Sequence, residues 1–395
     1  MLTQIATINE AKLWTKSYSS LLLVNLLLCF GFYMLPPTLP AYVKQIGGSN
    51  LQASLVFGMF SAMSLVARII AGSIVEAKGE KTIIIIGIGI VALCSVAFFL
   101  LPVNGILLLR SLQGIGWGMA TAAIATAVYK TVPEQKRGEG SGYYALTTII
   151  SLSLTPVAAI LIMSRIQFGY VLIASVTLTV ASALLLISGL TGLAFRPASV
   201  AGERKQITLR NVFEKGALLP STLCFLLSIP LCGIMGYLML FGREAGIDNV
   251  WLYFIGNTVM ILLTRRFVGR LFDKRGHSVI IFPGSVLMIA GLITLAFTNS
   301  TAMLVFASLL YGLGYGAVQP SLQTWAVNRC PADRKGAANG LFLSSIDLGY
   351  MIGSIVLGYI AGGSSYAAMY GYSTIFMVAF IVIYVSALTK SSTGK

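Results

Sequence analysis

The sequence predicts an all-α integral membrane protein whose twelve transmembrane helices form two pseudo-symmetric six-helix bundles. Three observations carry that reading: a composition depleted in charge, a regular succession of apolar runs, and motifs repeated at half the chain length. Of 395 residues, 57% are hydrophobic and only 10% charged, and the mean hydropathy is +0.87. Soluble domains are nearer half apolar and a quarter charged, so the shortage of charge is the sharper departure. A spanning helix takes ~20 mostly apolar residues, so a dozen occupy roughly 240 and leave little room for a soluble catalytic domain.

Apolar stretches bounded by turn and charge signals place the first six spans at roughly 17–43, 50–75, 82–101, 104–129, 140–163 and 168–194. The other six fall at roughly 217–242, 249–271, 278–298, 301–327, 337–361 and 367–389. Only 195–216 reads as a linker, being polar and basic. The expected organisation is therefore a bundle over 1–194, a linker over 195–216 and a second bundle over 217–395. The N-terminus does not read as a cleaved signal, because its first apolar run reaches Val43, too long for a signal-peptide core.

A net charge of +15 taken alone suits nucleic-acid binding, but the basic residues cluster between apolar runs and form no extended stripe. One set of loops holds Lys12, Lys16, Lys78, Lys81, Lys130, Lys136, Arg137, the linker basics, Lys274, Arg275, Arg329, Arg334, Lys335 and the C-terminal lysines. The opposite set keeps only Lys44, Arg165 and Arg243. By the positive-inside rule both termini and the linker face the cytoplasm, in a multi-pass protein of the plasma (inner) membrane. The five cysteines form no CxxC and four lie in apolar runs, so neither a disulfide framework nor a metal site is expected.

Internal repetition is the third signal. Gly114-Ile115-Gly116-Trp117-Gly118 recurs as Gly312-Leu313-Gly314-Tyr315-Gly316, a shift of 198, which also takes Pro133 to Pro331 and Gly142 to Gly340. A shift of 197 takes Arg68, Gly72, Glu76 and Gly79 to Arg265, Gly269, Asp273 and Gly276. Such a run of matches means a duplicated six-span unit. Parallel repeats of this kind place a binding site near mid-membrane, between the halves.

Two motifs carry a resemblance to a known family. Gly72-Ser-Ile-Val-Glu76-Ala-Lys-Gly79-Glu-Lys81 and Gly269-Arg-Leu-Phe-Asp273-Lys-Arg-Gly276 resemble the loop motif after helix two, and its second-half copy, in the major facilitator superfamily. Arg110-Ser-Leu-Gln113-Gly114-Ile-Gly116 resembles the helix-four motif of that family's drug/proton antiporters. The resemblance implies a conformational latch from Arg68, Gly72, Glu76, Arg265, Gly269 and Asp273. In physical terms, glycine permits close helix approach and the carboxylates gain from nearby basic groups. Ala77 stands where the family has arginine and Glu80 where it has a basic residue. In span five, Ser151-Leu-Ser-Leu-Thr155-Pro156-Val-Ala-Ala159 keeps the proline of the antiporters' glycine-rich segment and replaces its glycines with other small residues.

Charges inside spans mark function. Arg110, Gln113 and Trp117 share one face of span four, while Gly114 and Gly118 form an adjoining packing face. Tyr315, Gln319 and Gln323 make a similar stripe in span ten. Asp347 is the one carboxylate placed deep in a span, about ten residues and so ~15 Å into span eleven. Asp347 and Arg110 are the candidates for proton coupling. Tyr33, Gln113, Trp117, Tyr143, Tyr315, Gln319, Gln323 and Tyr350 are the candidates for a substrate cavity, with Tyr144 and Tyr237 as further aromatics. For Asp347 the alternative is a structural partner for a cation such as Arg110, and for the polar neutral residues it is interhelical bonding.

The single histidine, His277, falls in a loop, which excludes a buried histidine relay. No HExxH, paired intramembrane aspartates or GKS/T motif appears, so neither hydrolysis nor direct ATP coupling is expected and no cofactor is implied. The expectation is a non-enzymatic, proton-coupled secondary transporter. It would act as a monomer among membrane lipids, exporting a small amphipathic molecule and binding no nucleic acid. An importer, a lipid-linked flippase, or a transport-inactive sensor or scaffold are the alternatives. Reporter fusions at Arg204 and after Lys395 are expected to read cytoplasmic; a split result would refute the six-plus-six layout.

Overall fold

The computed structural model describes residues 12–98, 100–193, 214–331 and 334–393, so the linker expected at 195–216 lies almost wholly outside the described residues. Among the described residues there is no strand. The first half contains α1 (Lys16–Tyr33), α2 (Leu35–Gln45), α3 (Asn50–Lys78), α4 (Glu80–Ala97), α5 (Val103–Thr131), α6 (Arg137–Arg165) and α7 (Phe168–Ile187). The second contains α8 (Lys215–Ala245), α9 (Trp251–Arg275), α10 (Ser278–Ala296), α11 (Thr301–Asn328), α12 (Lys335–Gly363) and α13 (Tyr366–Thr393). Together α1 and α2 make one span over Lys16–Gln45. They divide at Met34 because Pro36 and Pro37 enter the first turn of α2 and supply no backbone donors.

Ten spans are long and apolar enough to cross a membrane on composition alone. The remaining two, α5 and α9, run 29 and 25 residues but are diluted by polar groups, Arg110 and Gln113 in one, Arg265 and Arg270 in the other. Observed helix ends sit close to the expected spans. The sixth span is shorter, because α7 ends at Ile187 and the chain turns through Gly189 and Gly192, both at positive φ.

The sequence repeat reappears as repeated packing. A Cβ at Gly118 would lie 2.6 Å from the Ser64 carbonyl oxygen on α3, and one at Gly116 2.7 Å from the Gly87 carbonyl oxygen on α4. The mates behave alike: Gly312 and Gly316 meet Asn257 and Ile261 on α9, and Gly314 meets Met288 on α10. Glycine at these positions lets backbones approach where lipid offers no hydrophobic force to drive helices together. Gly79 and Gly276 close α3 and α9 with φ of 80° and 75°, a conformation that costs a residue bearing Cβ.

Between the halves, α3 against α12 makes the most extensive contact, followed by α6 against α9 and α2 against α8. α3 and α12 run antiparallel as a stack of small residues: Asn50 meets Gly362, Ser54 meets Gly358, Gly58 meets Ser354, and Ser64 meets Asp347. Thr258 on α9 donates to the Ser153 carbonyl at 3.3 Å on the other side of the cleft. These hydrogen bonds and glycine approaches all lie between mid-membrane and the end remote from the basic loops. At the basic end, Gly142, Gly269, Gly336 and Gly340 have nothing within 4 Å of where a Cβ would stand. Among the described residues, these contacts between the halves thus all lie toward the far end.

The glycine seams give a direct test. Gly312→Val should wedge α11 from α9 and cost about 1–3 kcal/mol, as overpacking does. Gly89, with nothing within 4 Å, should accept alanine without loss. Melting of the detergent-purified variants checks both, and equal melting temperatures would refute the seam.

Candidate functional site

The site is built around an ion pair that joins the halves. Asp347 stands near the middle of the 29-residue α12 and is 7% exposed. Its Oδ2 accepts from Arg68 Nε at 3.1 Å and from Ser64 Oγ at 3.3 Å, both on α3. One turn of α3 presents both donors, since positions i and i+4 share a face. Arg68 Nη1 also donates to Thr121 Oγ1 on α5 at 3.4 Å, which ties the arginine to its own half. Leaving either charge unpaired at this depth is costly, so the pair holds α3 and α12 together where they meet.

Aromatic side chains surround the pair. Tyr33 lies within electrostatic reach of Arg68, Asp347 and Tyr315, and Tyr144 within reach of Arg68. Tyr350 is reached by Tyr33 and Tyr315, and its ring makes an edge contact with Phe57 across the halves at 6.0 Å. Arg265 on α9 is half-buried and within electrostatic reach of Tyr315. Tyr33, Tyr144, Tyr315 and Tyr350 are each partly buried. Of the sequence candidates, Asp347, Tyr33, Tyr315 and Tyr350 come together here, and half-buried Gln319 lies one turn beyond Tyr315 on α11.

Others do not join them. Arg110 is not the partner of Asp347: it is wholly buried inside the first half, donating to the Val56 carbonyl at 3.1 Å and to Gln113 Oε1 at 2.6 Å. Gln113 in turn donates to Ser95 Oγ on α4 at 2.9 Å, and the guanidinium lies 4.5 Å from the Phe60 ring centroid. Trp117 stacks on Phe32 with centroids 4.0 Å apart and backs Tyr33 from behind. The Arg110–Gln113–Trp117 face thus turns into its own bundle, because α3 and α4 both pack on α5 and leave it no free side. Tyr143 lies at the basic end against Trp14, and Gln323 donates to Asn339 Oδ1 at 2.9 Å. Tyr237 is buried at the far-end seam, where its hydroxyl donates to the Ser354 carbonyl at 2.9 Å and lies beside Ser54 of the first half.

The latch expectation receives a partial description. Gly72, Glu76 and Asp273 stand in α3 and α9, but their side chains lie outside the described residues. Gly269 faces open space, and Arg68 serves the ion pair described above. Glu80 pairs with Lys130, joining the start of α4 to the end of α5. Sequence reasoning missed Arg68 as the partner of Asp347, although its depth, ten residues before the end of α3, was the available signal. His277 caps α10, stacks 4.2 Å from Trp325 and places Nδ1 2.8 Å from Tyr384 Oη; burial and nearby Arg329 push its pKa down. Among the described residues no group of His, Cys, Asp and Glu could hold a metal, and all five cysteines are free and buried.

Two bundles meeting at a mid-membrane polar cluster are the architecture of a carrier. A model of the Major Facilitator Superfamily matches residues 21–354 and, in a second match, 251–394. The chain belongs to the major facilitator superfamily. This family is generally non-enzymatic and its members move small molecules. An uncharacterized MFS-type transporter of Methanocaldococcus jannaschii is 26% identical over 95% of this chain and 97% of its own. The multidrug resistance protein MdtG of Yersinia enterocolitica is 26% identical, covering 93% of this chain and 91% of its own. Among solved structures, the nucleoside transporter NupG superposes with a TM-score of 0.71 at 14% identity, over 94% of this chain and 99% of that one. The chain is thus a multi-pass membrane transporter of this superfamily.

The ion pair can be tested by a double-mutant cycle. Arg68→Gln alone leaves a buried carboxylate unpaired and should cost about 3–5 kcal/mol. Arg68→Gln combined with Asp347→Asn should recover most of that loss, read by unfolding in detergent; additive losses would mean that the two side chains do not interact.

Proposed function

We propose that this chain is a proton-coupled exporter that moves a small amphipathic molecule by alternating access. The Arg68–Asp347 pair across the halves carries the reading. The described contacts between the halves lie toward the far end, and we take the cleft to open toward the basic end, which the positive-inside rule makes cytoplasmic. While the pair is intact it holds α3 to α12, so an empty carrier resists opening outward. Two events can release it: protonation of Asp347, or a ligand group that takes the place of one partner. A carrier that is held when empty and released when loaded with either a proton or substrate exchanges one for the other. Symport needs the reverse, an empty form that reorients freely.

The magnitudes agree. Inverting a two-state population from 1:99 to 99:1 takes ~5.5 kcal/mol. Breaking a buried pair costs about 3–5 kcal/mol, so one protonation moves the equilibrium most of that way. With protons entering down their gradient, exchange drives substrate outward. The full-length similarity to MdtG supports the same direction, and the flat aromatic walls suit an amphipathic substrate.

Asp347→Asn keeps the shape of the side chain and much of its hydrogen bonding while removing ionisation. The expected outcome is normal folding and binding, loss of accumulation driven by a pH difference in inverted vesicles, and surviving exchange down the substrate's own gradient. The probe is a ligand first selected by thermal-shift screening of the purified protein. Full gradient-driven accumulation by the variant would overturn the role given to Asp347.

A further inference from the structure

We propose that the substrate carries an anionic group and that Arg265 is the residue that binds it. This rests on the reading that a small amphipathic molecule occupies the cleft between the halves, and adds its charge. The duplication supplies the first observation. α12 repeats α6 at a shift of 198, both 29 residues long, and α9 repeats α3 at a shift of 197. The mate of Arg68 is therefore Arg265, while the mate of Asp347 is Ile149. The first-half arginine has its acid; the second-half arginine stands at the equivalent depth, ten residues before the end of α9, and the position corresponding to the acid holds an aliphatic side chain.

Position supplies the second. Arg265 makes no hydrogen bond or ion pair among the described residues, yet it is half-buried and within electrostatic reach of Tyr315. Tyr315 in turn lies within reach of Tyr33 and Tyr350, so the guanidinium belongs to the same aromatic cluster as the ion pair. It is not part of a sealed core, as Arg110 is.

Charge supplies the third. Arg68 and Asp347 cancel, so Arg265 leaves the described cleft with one uncompensated positive charge. Such a charge at mid-bilayer is costly and calls for a counter-ion. A guanidinium presents a planar fork of donors that matches a carboxylate, sulfonate or phosphate ester with two parallel bonds. Tyrosine hydroxyls add donors to the same group, and their rings offer a flat apolar wall to the rest of the molecule. The site therefore fits an organic anion with a flat apolar body.

The test measures equilibrium binding to the purified full chain by calorimetry, with three probes that share one body: 2-naphthoate, naphthalen-2-ylmethanol and 2-naphthylmethylammonium. Naphthoate should bind at least about tenfold more tightly than either of the others, the scale of one charge-assisted contact. Arg265→Gln should abolish that preference and Arg265→Lys should keep much of it. Ile149→Asp, which restores the missing acid beside an intact Arg265, should abolish it too, and it decides the matter should Arg265→Gln fail to fold. Absence of an anion preference in the unmodified protein, or its survival in both charge-removing variants, overturns the proposal. Binding needs no proton gradient. A protein that binds naphthoate through Arg265 but never moves it outward in vesicles would retire the export reading and leave this one standing.

Discussion

The ion pair between Arg68 and Asp347 is the constraint on which the arrangement of the two halves depends. A carboxylate at mid-membrane is tolerable only when paired or neutralised, and its partner here comes from the opposite bundle. Had Arg110 met Asp347, the acid would answer to a side chain sealed by α3, α4 and the Phe60 ring. Arg68 instead stands at the face where the bundles meet, so the charge state of one acid is coupled to how far apart the halves sit. Ser64 strengthens the coupling by donating from the same face of α3.

Duplication explains both what is shared and what differs. The glycine seams of α5 on α3 and α4 are repeated by α11 on α9 and α10, which gives each bundle the same rigid core. Side chains at the cleft have diverged on that common frame. One half's arginine has an acid opposite it, while Ile149 stands at the position that would pair the other, so the two sides of the cleft present different chemistry from a repeated backbone. A carrier with two identical faces would hold the ion pair twice and leave no free charge for a ligand.

Most of the fold was legible in the sequence because the bilayer imposes one length scale and one polarity rule on every span. Even α5 and α9, less apolar than the other ten spans, were placed by apolar stretches read against the turn and charge signals around them. Within the site, Asp347 was legible from depth alone, since nothing but depth distinguishes it from the loop acids. Its partner was not. Arg68 sits in a stretch whose repeat suggested a latch, and sequence spacing gives no information about which helix of the other half will lie opposite. The face of Arg110, Gln113 and Trp117 misled for a related reason: helical spacing shows that three residues share a face, while only packing shows whether that face looks into a cleft or into a neighbour. Tyr143 and Gln323 lay on plausible faces too, but at the basic end of their helices, past the depth of the ion pair.

The far-end seam between α3 and α12 includes Ser54, Gly58, Ser354, Gly358 and Gly362, with Phe57 edge-on to Tyr350. Around that stack of small residues the far end is apolar: Leu39, Val43 and Phe57 of the first half share one buried cluster with Tyr237, Leu238 and Leu357 of the second. Parting the halves there exposes apolar surface to water, which opposes opening in proportion to the area uncovered. The barrier is therefore divided between a charge term at mid-membrane and a wetting term at the far end. Cargo that covers part of the uncovered surface lowers the second term without touching the first.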